Sequence, residues 1–197
     1  MKIIGLTGGI ASGKSTVKKM LQKRNYEVID ADEVALGLQA IGSPILAEIV
    51  NAFGTTVLHD DGNLNRGELG KIIFGNVQAR AKLNEIMHPA IRSHFEKIIE
   101  KSTAEVLFLD VPLLFEAGFD NMTNINLVIS ASQDVQLARL MLRNSLTQAE
   151  AQARINSQMT MAEKVAQADF VINNNGEIHE LEKKVTEFLE KILNKVI

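Results

Sequence analysis

Gly8-Gly9-Ile10-Ala11-Ser12-Gly13-Lys14-Ser15 combines glycines, one lysine and one hydroxyl at the spacing G-x-x-x-x-G-K-[ST]. Those residue types suit one task, the cradling of phosphate. Glycines let the backbone pass close to phosphate oxygens with no Cβ in the way. Successive N–H groups form an anion nest at the positive end of a helix starting near Gly13. Lys14 supplies a point charge for the β- and γ-phosphates, and the Ser15 hydroxyl is placed to ligate Mg²⁺. The motif needs a strand before it and a helix after it. Ile3-Ile4-Gly5-Leu6 and Thr16-Val17-Lys18-Lys19-Met20-Leu21 supply both.

Other polar residues follow apolar runs of strand length. Asp30-Ala31-Asp32 follows Tyr26-Glu27-Val28-Ile29. One of these aspartates suits a helix N-cap. The other suits the carboxylate that takes the proton of an attacking hydroxyl. Asp110 ends Val106-Leu107-Phe108-Leu109 and reads either as a Walker B carboxylate near Mg²⁺ or as a cap before Pro112. Glu116 is a weaker candidate that could lie on a solvated face. Arg139 and Arg143 are four apart and share a helix face, which suits phosphate charge or a solvated basic surface equally. His88-Pro89 reads as a helix boundary. Asn173-Asn174-Asn175-Gly176 follows the last apolar run, Phe170-Val171-Ile172, as a turn or as an adenine contact.

Five short apolar runs, with Ile125-Asn126-Leu127-Val128-Ile129 as the fourth, alternate with helical patterns. That alternation predicts a parallel sheet covered on both faces. Ligands of such sheets bind at the carboxyl ends of strands, where Gly8 to Ser15, Asp30, Asp110 and the region after Ile172 would converge. Residues 31–101 show no convincing strand. Pro44 to Val50 and Glu68 to Phe74 have helical spacing, separated by the turn cluster His59-Asp60-Asp61-Gly62-Asn63. Residues 144–165 are helical again, with Thr147 and Glu150 at capping-box spacing. The stripe Ile178, Leu181, Val185, Phe188, Leu189 and Ile192 makes 177–196 an amphipathic helix.

Composition narrows the class. The chain has 197 residues, 46% hydrophobic, with 3 prolines and a net charge of −3, so one compact domain with insertions is expected. No basic stripe calls for nucleic acid. There is no cysteine, hence no disulfide, thiolate metal site or cysteine nucleophile, which is compatible with the cytoplasm. No signal peptide is visible, and no run of ~18 apolar residues predicts a membrane span.

Taken together and in this order, the motifs resemble the dephospho-coenzyme A kinase family. The matching segments are Leu6 to Thr16, Val28 to Asp32, Leu64-Asn65-Arg66, Met87 to Arg92, Asp110 to Glu116, Gln136 to Arg143 and Ala168 to Gly176. The resemblance implies a P-loop NTPase-type three-layer α/β/α fold with a five-stranded parallel sheet, similar to nucleoside monophosphate kinases. Residues 1–29, 102–143 and 166–197 would form the core, 30–101 the helical substrate-binding region, and 144–165 a small lid. It implies ATP-dependent phosphorylation of the ribose 3′-hydroxyl of dephospho-CoA, with Mg²⁺, in the last step of coenzyme A biosynthesis.

Carried onto this chain, the family pattern makes Asp32, Lys14, Arg139 and Arg143 the catalytic set. ATP would meet Gly8, Gly9, Ala11, Ser12, Gly13, Lys14, Ser15, Thr16, Asn173, Asn175 and Gly176. Dephospho-CoA would meet Asp32, Arg66, His88, Arg92, Leu113 and Glu116, and Mg²⁺ would meet Ser15 and Asp110. Two positions depart from the family. Leu36 stands where a basic residue is common, and Ala11 replaces a common glycine, which is tolerable at negative φ. The partners implied are small molecules, with neither nucleic acid nor membrane, and monomer and trimer stay open. Rival readings are a kinase for another small molecule and a GTP switch. The switch lacks its motifs: Asn194-Lys195-Val196-Ile197 has no Asp, and Asp110-Val111-Pro112-Leu113 has no Gly.

Overall fold

The computed structural model describes residues 1–194. Lys195 to Ile197, which end the helix expected over 177–196 and complete the guanine-motif comparison, lie outside the described residues. The chain divides into two compact units, Met1–Ile29 with Thr103–Ile197, and Asp30–Ser102.

The first unit is built on a five-stranded parallel sheet in the order β2-β3-β1-β4-β5. Its strands are β1 (Lys2–Gly8), β2 (Glu27–Asp30), β3 (Val106–Asp110), β4 (Ile125–Ser130) and β5 (Phe170–Asn173). Each expected apolar run is a strand. β1 lies between β3 and β4, with Leu6 opposite both Asp110 and Leu127. The chain therefore leaves β1 where the winding of the sheet reverses, the place where open α/β sheets bind ligands. β3 is buried at all five positions because both faces of the sheet are covered.

Helix α1 (Lys14–Lys23) and helix α9 (Ile178–Asn194) pack together on one face. Val17, Met20 and Leu21 meet Leu181, Val185, Phe188, Leu189 and Ile192 over Ile4, Leu6 and Phe108. The expected stripe of the last helix is thus core packing, apart from Ile178, which is exposed. Helices α6 (Gln133–Asn144), α7 (Gln148–Asn156) and α8 (Met161–Ala166) complete this unit. Thr147 and Glu150 form the expected capping box, and Thr160 with Glu163 form a second one.

The second unit is helical: α2 (Ala31–Leu38), α3 (Pro44–Phe53), α4 (Arg66–Ile73) and α5 (Val77–Lys101). α5 is its spine and packs against the other three through Met87, Ile91 and Phe95. The reading of His88-Pro89 as a helix boundary is wrong, because Pro89 lies inside α5. Its ring removes one N–H from the ladder. Burial of Met87, Ile91 and Phe95 on one continuous face, one turn apart, outweighs that loss.

Candidate phosphate-transfer site

The loop after β1 closes on itself through Ser12 N–H donating to the Gly9 carbonyl (3.1 Å). Gly13 caps α1 at φ +99°, a conformation that costs glycine little. A Cβ at Gly8 would come within 2.5 Å of the Ile129 carbonyl oxygen, and one at Gly13 would collide with the Asn174 amide. Ala11 lies at φ +58°, not the negative φ at which its methyl would be harmless. That conformation costs a non-glycine residue about 1–2 kcal/mol, so the surrounding structure must hold it.

Three side-chain amides from distant elements do so. Gln136 Nε2 donates to the Ile10 carbonyl (2.6 Å), Gln158 Oε1 accepts from Ile10 N–H (3.1 Å), and Asn174 Nδ2 donates to the Ser12 carbonyl (2.7 Å). The loop's carbonyls are thereby turned toward the protein. Helix α1 has no side-chain cap and no acidic residue in its first turn. By contrast α2, α3, α4, α5, α7 and α8 are capped by Asp30, Ser43, Asn65, Asn76, Thr147 and Thr160, and α6, also without a side-chain cap, carries Asp134 in its first turn. The leading N–H groups of α1 are thus left for an external anion.

Charge is arranged around that opening. Lys14 pairs with Asp110, which is 1% exposed at the end of β3. Two buried polar atoms have no hydrogen-bond partner among the described residues: Ser12 Oγ and a guanidinium nitrogen, Nη1, of Arg139. Buried polar atoms are normally satisfied, so these two stand out among the described residues. Arg143, also on α6, is exposed and donates to Asn144 Oδ1 (2.9 Å). Ser15 is exposed at the start of α1, and Thr16 follows it with its N–H on the Gly13 carbonyl (3.0 Å).

The turn after β3 is tied down from two sides. Thr7 Oγ1 donates to the Pro112 carbonyl (3.0 Å). Lys164 of α8, fully buried, donates to both Glu116 carboxylate oxygens (2.7 and 2.9 Å) and approaches Pro112 O (3.4 Å). Glu116 also accepts from Met159 N–H (3.3 Å). Glu116 is exposed as a residue, as a solvated face would have it, but its carboxylate is engaged by Lys164. Leu113 beside it is 39% exposed.

After β5, Asn173 and Asn175 are exposed while Asn174 is buried. Asn175 Oδ1 accepts from Ser132 N–H (2.7 Å) and ties the turn to the start of α6. Gly176 is exposed.

In the helical unit, Asp30 is the N-cap of α2, accepting from Asp32 N–H (2.7 Å) and Glu33 N–H (3.3 Å). The capping role expected of one aspartate therefore falls to Asp30, and Asp32 is exposed in the first turn of α2. Leu36 is exposed on the same helix, and Arg66 is exposed as the first residue of α4. His88 and Arg92 lie one turn apart on α5 and are half-buried. Burial, and then the nearby Arg92 charge, hold His88 below the usual imidazole pKa, so it is neutral near pH 7.

Sequence reasoning missed Gln136, Gln158 and Lys164, and read Asn174 as part of a turn or adenine contact rather than as a brace for the Ser12 carbonyl. Gln136 left one trace: it shares the buried stripe of α6 with Leu140, a polar side chain in an apolar slot.

A family model for dephospho-CoA kinase matches residues 2–180. A dephospho-CoA kinase of Listeria innocua is 44% identical over 197 residues, covering 98% of each chain. A solved dephospho-CoA kinase from Campylobacter jejuni superposes with a TM-score of 0.74 at 28% identity over the whole of both chains. TT1252 from Thermus thermophilus superposes with a TM-score of 0.84 at 30% identity, covering 100% of this chain and 98% of that one.

Proposed function

As the chain belongs to the dephospho-CoA kinase family and performs the ATP-dependent phosphorylation of dephospho-CoA in coenzyme A biosynthesis, we propose that the ribose 3′-hydroxyl is the acceptor. The products are then coenzyme A and ADP, and this is the last step of the pathway. The observation that supports phosphoryl chemistry most directly is the start of α1, without a side-chain cap and beginning at Lys14, which pairs with Asp110.

The loop N–H groups and Lys14 hold the β- and γ-phosphates of ATP. Arg139, half-buried, offers its guanidinium to the transferred group, and Arg143 adds charge from the exposed end of α6. Asn173, Asn175 and Gly176 border the adenine. Asp32 accepts the proton of the attacking hydroxyl. What supports Asp32 is its place in the family motif and the assignment of the capping role to Asp30. Arg66, His88, Arg92 and Leu113 contact dephospho-CoA, with His88 acting as a neutral hydrogen-bonding group. Glu116, exposed and held by Lys164, is proposed as a further dephospho-CoA contact. The segment 144–165 excludes water, so that ATP is not lost to hydrolysis.

Ser15 and Asp110 fit Mg²⁺. They are hard oxygen donors and few in number, which suits an ion that keeps waters and takes phosphate oxygens as its remaining ligands. When bound, the ion neutralises charge on the β- and γ-phosphates. No described helix is long and apolar enough to cross a membrane, and we place the reaction in the cytoplasm. Asp32→Asn tests the proton acceptor: kcat should fall by ~10²-fold or more, the usual share of a general base, with ATP affinity kept. Near-normal kcat would remove Asp32 from that role.

A further inference from the structure

The peptides on either side of Ile10 are gripped by two different elements. Gln136 of α6, 4% exposed, donates to the carbonyl, and Gln158, between α7 and α8, accepts from the N–H. The Ile10 carbonyl belongs to the peptide from which the φ of Ala11 is set. A left-handed alanine persists only where its surroundings fix it. A Cβ at Gly9 would run into the Gln136 amide and the Met161 methyl, so Gln136 reaches the loop through a gap that only glycine leaves.

Gln158 is itself held in place. Met159 N–H donates to Glu116, and Lys164, one turn into α8, pairs with the same carboxylate. Glu116 and Pro112 stand on the turn that follows Asp110, the partner of Lys14. One short stretch, residues 158–164, thus touches both halves of the phosphate site, the loop after β1 and the turn after β3.

We propose that Gln158 is a positioning residue that sets the shape of the phosphate loop, so that ATP binding depends on the seating of the stretch between α7 and α8. It touches no reacting atom and acts through the Ile10 peptide. This rests on the reading of the loop as the ATP site. A cavity of about 300 Å³ borders the contact, lined by Gly9, Ile10, Gln158, Met159 and Met161 among others. A change at Gln158 therefore has room and need not disturb the core.

Chemistry at this contact is one-directional, since only the Gln158 oxygen is used. Gln158→Met removes the acceptor at similar volume. Gln158→Glu keeps it. Amide exchange at Ile10 in the nucleotide-free protein should quicken about five- to tenfold in Gln158→Met, the worth of one hydrogen bond, and stay at the parent rate in Gln158→Glu. KM for ATP should rise in Gln158→Met by a similar factor, with KM for dephospho-CoA unchanged and the melting temperature lower by no more than the loss of one hydrogen bond, about 2–4 °C. Unchanged Ile10 exchange and unchanged KM for ATP in Gln158→Met would overturn the proposal. A fall in melting temperature with KM for ATP intact would overturn it as well, by making the hydrogen bond merely structural. Lys14→Ala separates the underlying reading: if it leaves ATP affinity intact, the ATP site is misplaced, whatever Ile10 does.

Discussion

Removal of Glu116 should cost more than removal of its partner Lys164, because the two ends of the pair differ in access to water. The Lys164 side chain is 0% exposed and that of Glu116 is 21% exposed. Glu116→Ala strands a buried ammonium with only the Pro112 carbonyl at 3.4 Å. Breaking a buried pair from that side costs about 3–5 kcal/mol. Lys164→Met keeps the volume and leaves a carboxylate that reaches water and still accepts from Met159 N–H. Its cost should be about 2 kcal/mol, within the range for a hydrogen bond to a charged group. At roughly 2–4 °C per kcal/mol for a chain of this size, Glu116→Ala lowers Tm by about 6–20 °C and Lys164→Met by about 4–8 °C. The double variant Glu116→Ala/Lys164→Met strands no charge and should fall short of the sum by about 1–3 kcal/mol. Thermal and urea melts of the four proteins by circular dichroism make the cycle. Additivity within about 0.5 kcal/mol, or Lys164→Met as the worse single variant, would refute the reasoning.

Two further outcomes follow from local geometry. Ala11→Gly releases a methyl from φ +58°; the relief of about 1–2 kcal/mol exceeds the 0.5–1 kcal/mol or so by which glycine loosens the unfolded chain, so Tm should rise slightly, and a fall would contradict the strain. His88 has a folded pKa below its ordinary value. As pH drops below about 6.5 the unfolded chain takes up a proton that the folded chain refuses, so stability should decline from there down to the lowered pKa. Melts at about pH 7.5 and about pH 5.5 should show a smaller loss in His88→Gln than in the parent, and parallel profiles would exclude the effect.

The features legible in the sequence were those written in local patterns. Apolar or β-rich runs gave the five strands, most clearly the central β1, β3 and β4, because a strand covered on both faces has no alternation to hide. The phosphate loop was legible because its glycines, lysine and hydroxyl are adjacent in the chain. The capping box at Thr147 and Glu150 spans four residues. What failed was a local rule overruled by packing: Pro89 should end a helix, and the buried face of α5 carries the helix through it. What could not be read was long-range. Gln136 is 126 positions from Ile10, Gln158 is 148, and Asn174 is 162 from Ser12. Nothing near Lys164 distinguishes it from a solvated lysine on a short helix, and only the return of Glu116 to the same place makes it a buried cation. The left-handed Ala11 was hidden for the same reason, since the groups that hold it come from elsewhere in the chain.

The most direct measurement is ADP release from Mg-ATP with dephospho-CoA as acceptor, beside adenosine, AMP and CMP, with the product identified by mass and by the position of the new phosphate. ADP should form only with dephospho-CoA, and the product should be heavier by one phosphoryl group carried on the ribose 3′-oxygen. Turnover with the nucleoside or nucleotides in place of dephospho-CoA, or a phosphate found elsewhere on the product, would contradict the account.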